Sequence, residues 1–516
     1  MKQYSGLFCN GTEVPLEGVK IVSKVEGVCH RVTVIQRFHN LEEVDVEAVY
    51  VFPLEESAAL CEFTVKTSDR TLKGVVEEKE KAFEIYDDAM AEGDGAFLLD
   101  QERPNVFTLS VGNLRADERV EISITYVSLL QHEGESVRLM FPTTVSPRYV
   151  PKGPPEVGQP DGERVNPERW HQVPYGVTLS VTICAETQIQ SVESPSHPIR
   201  MKLNGPNEAH VELSQELTKM DRDIVLLIST EDPHTPRATV VCEEDGTRVA
   251  MLQFFPDLSE AEHEPQEVTF LLDCSGSMYG ESIEQATRAL ALCVRSLSEG
   301  DAFNIVCFGS TFKKLWVKAR PFDEKTLERA TKYINKIDAD LGGTEIMTPL
   351  QDLLAAPLPK KRRRKILLLT DGQVSNEQEV IAMCKKHSDA TQIFTFGIGA
   401  GCSEFLVRGV ARAARGSAEF VYPGERIEPK VLRMFGRINT PLLENVTLTW
   451  QDLKVEQFPV RCPPIFQNEC VTFFARLIGG SGSEATLSSE KQSWSVPIDL
   501  EKASKDSAIP VLWARE

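Results

Sequence analysis

The stretch VTFLLDCSGSM, residues 268–278, decides the fold of the middle of this 516-residue chain. Its first half, 268–272, is apolar and partly β-branched, as suits a strand buried on both faces of a sheet. Its second half places Asp273, Ser275 and Ser277 at alternate positions, with Gly276 allowing a sharp turn. Three oxygen-bearing side chains at that spacing can face one point. A metal ion, a substrate or nothing at all can occupy it.

Outward from that strand, residues 266–437 alternate between strand and helix. AFNIVCFG, KILLLTDG, QIFTFGIG and AEFVYPG read as further strands. ESIEQATRALALCVRSL, DEKTLERATKYINKI, NEQEVIAMCKKHS and SEFLVRGVARAA read as the helices between them. Such alternation predicts an α/β, Rossmann-like domain, with a mostly parallel sheet and helices on both faces. Ligands in such folds sit beyond the carboxyl ends of the strands. Two more loops on that edge offer oxygen: LGGTEI carries Thr344, and LLLTDGQ carries Asp371. Two carboxylates and three hydroxyls make a hard-oxygen set, without the imidazole or thiolate of a zinc site. The set suits Mg²⁺ or Mn²⁺. None of the nine His lies in these loops. A hydrolase using the ion to activate water would want a poised general base, so that reading ranks low.

The flanks are β-rich. Residues 1–131 alternate apolar and polar around one helix, EEKEKAFEIYDDAMAEG, whose stripe is read as Ala82, Ile85 and Ala89 with Phe83 and Tyr86, and whose stop is read as Gly93. Residues 132–265 begin as a Pro- and Gly-dense linker and turn to strands from Tyr175 to about Phe255. Residues 438–516 are β-rich again. The strands of 175–255 and 440–500 are expected to pair into one sandwich with the α/β domain inserted, because a lone small sheet with an uncovered face is marginal.

The net charge of −21 argues against general binding to nucleic acid or anionic membrane. No secretory leader and no run long enough to span a bilayer is found, and twelve scattered Cys fit reduced thiols, so a cytoplasmic location is expected. The basic run KKRRRK at 360–365 reads as a solvated loop, with nuclear import the lesser reading. Two glycosylation-type triplets, at Asn10 and Asn445, read as chance matches.

The combination D-x-S-x-S, Gly-Gly-Thr and T-D-G resembles the von Willebrand factor A domain and its metal-ion-dependent adhesion site (MIDAS), with Asp273, Ser275, Ser277, Thr344 and Asp371 at the five ligand positions. The resemblance implies that the serines bind the ion directly. The threonine binds directly or through water, and the carboxylates act largely through water. An acidic side chain of a protein partner would complete the shell. YVFPL, EKEKAFEIYDDAMAEG and AFLLDQERPNVFTLSVGNLRADERVEISITYV resemble the VIT (vault protein inter-alpha-trypsin) domain. VIT followed by von Willebrand A resembles a family that includes the inter-alpha-trypsin inhibitor heavy chains and intracellular von Willebrand A proteins. The heavy chains' terminal Asp-Pro-His has a counterpart here in Asp232, Pro233 and His234, but mid-chain, where it reads as a turn. The resemblance therefore implies the intracellular, non-enzymatic branch and metal-dependent capture of protein partners. A scaffold whose VIT domain mediates assembly, with the metal only bracing the loops, is the alternative. The end, AIPVLWARE, reads as the start of a helix, so the chain is expected to be a fragment or short form of a longer protein.

Overall fold

In a computed structural model, described residues are 7–143 and 176–515, apart from 10–11, 15, 42, 56, 76, 94–95, 104–105, 216–217, 220–221, 233, 259–263, 360–361, 400–401, 441–442, 444, 468, 491, 502 and 505–507. The Pro- and Gly-dense run 147–170, Asn10 and Pro233 lie outside them.

The apolar runs of residues 266–421 assemble into one sheet. Its strand order is Phe312–Lys314, Ala302–Phe308, Gln266–Asp273, Arg363–Thr370, Thr391–Ile398, Ala418–Val421. The five strands from Ala302–Phe308 onward pair in parallel. Successive side chains serve opposite faces. Phe270 and Leu272 pack with helices Glu281–Arg295, Glu324–Ile334 and Ile427–Asn439. Leu271, Ile366 and Leu368 pack with helices Met347–Ala355, Glu377–Lys386 and Glu404–Ala413. The four helices read from sequence are all present. Helix Met347–Ala355 was not read, because Pro349 sits in its first turn, where a missing N–H costs nothing.

The N-terminal strands form sheets of eight and five strands and share one hydrophobic core with a four-stranded sheet. Strand Val177–Cys184 pairs in parallel with Leu16–Glu26, and Ser136–Phe141 pairs with Ile224–Thr230. The core runs from Leu16 to Ile228. Strands between 136 and 230 therefore pack with the N-terminal sheets, across the division at 131 read from sequence. Helix Lys79–Glu92 ends at Gly93 in the left-handed region, φ 81°. Its packed stripe is Tyr86 with Ala82, Phe83, Ala89 and Met90; Ile85, read as part of that stripe, is 53% exposed.

Only the end of the 175–255 segment joins the C-terminal strands. Arg248–Phe254 pairs with Val471–Gly480, and Arg237–Cys242 pairs with Arg248–Phe254. Leu252, Phe254, Phe473 and Leu487 lie in their common core. The α/β domain leaves and re-enters the chain between these strands. Helix Ala508–Arg515 packs Ile509 and Leu512 against Cys29, Ala59 and Val127 of the N-terminal sheets and Phe474 of the C-terminal sheet. No helix among the described residues is long and apolar enough to cross a membrane.

A buried ionic network joins helix Ile427–Asn439 to the N-terminal unit. Glu133 accepts from Lys430 at 2.6 Å, from Arg433 at 2.8 Å and from Arg138 at 2.9 Å. Glu425 pairs with Arg138 and Lys430 at 2.8 and 3.1 Å. Glu419 pairs with Arg433 and Arg437, and Arg437 also reaches Glu469 of the C-terminal unit.

Of the run 360–365, read from sequence as a solvated loop, Lys360 and Lys361 lie outside the described residues and Arg363 is exposed, but the last two residues depart from that reading. Arg364 and Lys365 are buried at the start of a strand, where Arg364 donates to the carbonyls of Leu353 and Ala356 and Lys365 to that of Ile438. Two of its charges are therefore not presented to a receptor.

Candidate metal centre

The strand Gln266–Asp273 ends at the carboxyl edge of the sheet and delivers Asp273 with no exposed surface. One carboxylate oxygen of Asp273 accepts the Ser275 amide at 2.9 Å, so the chain folds back over its own aspartate. The other accepts the Thr370 hydroxyl at 2.6 Å, which ties this loop to the adjacent strand end. Thr370 Oγ1 in turn accepts the Gly372 amide at 2.9 Å, and Asp371 Oδ1 accepts the Gln373 amide at 3.2 Å. Ser275 Oγ and Ser277 Oγ lie 3.1 Å apart. Ser275 is buried, whereas Ser277 and Gly276 face solvent. The alternation seen in sequence therefore aims both hydroxyls at one point on the rim.

The Gly-Gly-Thr loop is stapled to the same place. The Gly276 amide donates to the Gly342 carbonyl at 2.7 Å, and the Leu341 amide to the Cys274 carbonyl at 3.0 Å. Ser310 holds the loop from the other side: its amide donates to the Leu341 carbonyl at 2.7 Å and its hydroxyl accepts the Gly343 amide at 2.8 Å. Gly342 has φ +82°, and a Cβ there would meet Ser310 Oγ at 2.8 Å. Thr344, two residues on, is 5% exposed. All five residues singled out from sequence thus lie on loops locked to one another or to adjacent strand ends.

Two carboxylates in this setting repel. Burial, and then the charge of Asp371, push the Asp273 carboxyl up to about 7; the hydrogen bonds from Ser275 and Thr370 only partly oppose them. A cation among these oxygens would relieve that repulsion. Hard hydroxyl and carboxylate donors fit Mg²⁺ or Mn²⁺.

Sequence reading missed the supports. Thr370, which anchors Asp273, sits beside Asp371 in the quoted LLLTDGQ and was open to notice. Ser310 was not, nor was the contact of the buried Ser403 hydroxyl with Glu377 beside the Asp371 loop, where the Ser403 amide donates to the Asp371 carbonyl at 2.8 Å. Such partners come from distant segments and leave no local pattern.

Comparison with known proteins finds the two domains whose motifs the sequence carries. The vault protein inter-alpha-trypsin domain model matches residues 16–126, and the von Willebrand factor type A domain model matches residues 266–420. A von Willebrand factor A domain-containing protein of Dictyostelium discoideum is 31% identical over 510 residues, covering 96% of this chain and 52% of its own. Von Willebrand factor A domain-containing protein 5A is 30% identical in Rattus norvegicus and in Homo sapiens, covering 93% of this chain and 61% and 64% of their own. The chain thus spans between half and two thirds of these relatives' length. With both domain models in the order read from its motifs, the chain belongs to the family that joins a VIT domain to a von Willebrand factor type A domain.

Proposed function

We propose that this protein is a non-enzymatic interaction module that captures protein partners through a divalent cation held by Asp273, Ser275, Ser277, Thr344 and Asp371. The observation that carries the reading is the convergence of two buried carboxylates with paired serine hydroxyls at a solvent-facing rim. The ion, Mg²⁺ or Mn²⁺, supplies an electrophilic seat for an acidic side chain of the partner. Ser275 and Ser277 contribute uncharged oxygens, which leave that seat attractive to a carboxylate. Thr370 and the Ser275 amide keep Asp273 oriented. Exposed Ser277 and Tyr279, the latter 79% exposed, form the lip against which a partner rests.

A cytoplasmic location belongs to the same reading. It is supported by the cysteines, which are unbridged among the described residues. Affinity capture from cell extract with wild-type and Ser275→Ala bait, in Mg²⁺ and in EDTA, tests the proposal. Partners that bind wild type in Mg²⁺ and are lost both in EDTA and with the variant support it. A variant that is less stable yet keeps every partner instead favours a scaffold in which the metal only braces the loops.

A further inference from the structure

Away from the adhesion-site loops, a cavity of about 250 Å³ opens where the three parts of the molecule meet. Its walls carry Arg138 from the N-terminal unit, Arg408 and Arg412 from the α/β domain, and Arg515 from the C-terminal helix. Two carboxylates, Glu55 and Glu404, share the lining. Glu404 is committed to the Arg408 Nε at 3.2 Å and the Tyr422 hydroxyl at 2.6 Å. Glu55 accepts the Ser128 hydroxyl at 2.7 Å and faces His30.

Arg138 is the informative wall. Its side chain is only 8% exposed, and its guanidinium lies over the Tyr422 ring at 4.6 Å. Nη1 donates to Glu133 and Glu425, but buried Nη2 has no hydrogen-bond partner among the described residues. A buried donor left without an acceptor is costly. Arg412, on the exposed face of its helix, has no ion-pair partner among the described residues either. Guanidinium groups drawn from three separate parts of a chain with net charge −21 gather at one small cavity.

We propose that this cavity is an anion site that takes a phosphate group, free or carried on a small molecule, and so ties the three parts together. Guanidinium forks match the tetrahedral oxygens of phosphate and bind them with charge-assisted hydrogen bonds. The volume falls below the roughly 300–1,000 Å³ of sites that enclose drug-sized ligands, so the site receives one phosphate rather than a whole cofactor. Nη2 of Arg138 supplies the donor at the base, and Arg412 closes from the rim. Binding at a junction stabilises the assembled form in proportion to ligand concentration.

Isothermal titration calorimetry with inorganic phosphate, at ionic strength matched with chloride, tests this on the full chain. The wild type is expected to bind saturably with one site. Arg412→Gln, a change at an exposed position, is expected to weaken binding about tenfold or more. Arg138→Lys, which keeps the charge but loses the fork, is expected to weaken it as well. Glycerol phosphate provides the second arm. Binding tighter than inorganic phosphate assigns the site to a phosphate ester, and equal or weaker binding assigns it to free phosphate. Absence of saturable phosphate binding to the wild type, or Arg412→Gln binding as the wild type does, overturns the proposal.

Discussion

Replacing Glu133 by Gln removes one negative charge from beneath three cations without changing the side chain's shape. Lys430, Arg433 and Arg138 lie 2.6, 2.8 and 2.9 Å from its carboxylate, whose side chain is 14% exposed. Burial alone would raise its pKa, but Lys430, Arg138 and Arg433 outweigh it and hold the carboxyl at about 2. Against an ordinary 4.5, that depression corresponds to about 3 kcal/mol at 1.36 kcal/mol per unit. Breaking a buried ion pair by removing one partner costs about 3–5 kcal/mol. Here Glu425 and Glu419 retain part of the pairing, which places the loss at the lower end. The sign follows from a depressed folded pKa. The contribution is fully present above pH 4.5 and is lost as pH falls towards 2. Hydrogen exchange of helix Ile427–Asn439, with urea unfolding at pH 7, measures the effect. E133Q should destabilise by roughly 3 kcal/mol and speed exchange of that helix. Because the pairs are buried, molar salt should leave much of the difference in place. A loss below about 0.5 kcal/mol, the range of an ordinary surface change, would refute the assignment of this network as the joint between units.

Three further outcomes follow from the geometry. Gly342→Ala forces a Cβ to within 2.8 Å of Ser310 Oγ at φ +82°; it should cost about 1–3 kcal/mol in thermal unfolding and abolish any response to Mg²⁺. Thr370→Val removes the hydroxyl donated to the buried Asp273 carboxylate; a loss of about 1.5–3 kcal/mol in urea unfolding is expected at pH 8, and full stability would contradict it. Burial, with His234 and Arg237 nearby, lowers His132 to about 4, so the wild type should gain stability as pH rises from 4 to 6.5. In His132→Phe the difference in urea midpoint between pH 5 and pH 7 should shrink.

The α/β half of the molecule was legible because its signals are local. Each buried parallel strand is a continuous apolar run, and the loops carrying Asp273 and Asp371 begin where such runs end. The loop carrying Thr344 instead follows helix Glu324–Ile334, so no apolar run points to it. The β-rich parts were less legible, because strand pairing there is long-range. Nothing in the sequence of Val177–Cys184 announces that its neighbour is Leu16–Glu26. The C-terminal end of the charge run misled for a related reason: Arg364 and Lys365 resemble solvated residues, but their hydrogen-bonding acceptors lie on Leu353, Ala356 and Ile438. Ile85 and Tyr86 are adjacent in the helix, and only the position of strand Ala96–Arg103 decides which of them is buried.

The central claim concerns five oxygens and one cation. Calorimetric titration of Mg²⁺ and Mn²⁺ into the EDTA-stripped chain, wild type beside Asp273→Ala, tests it most directly. One saturable site in the wild type, absent from the variant while its circular dichroism stays unchanged, is the result predicted. Equal heats from the two proteins, or none from the wild type, would contradict it.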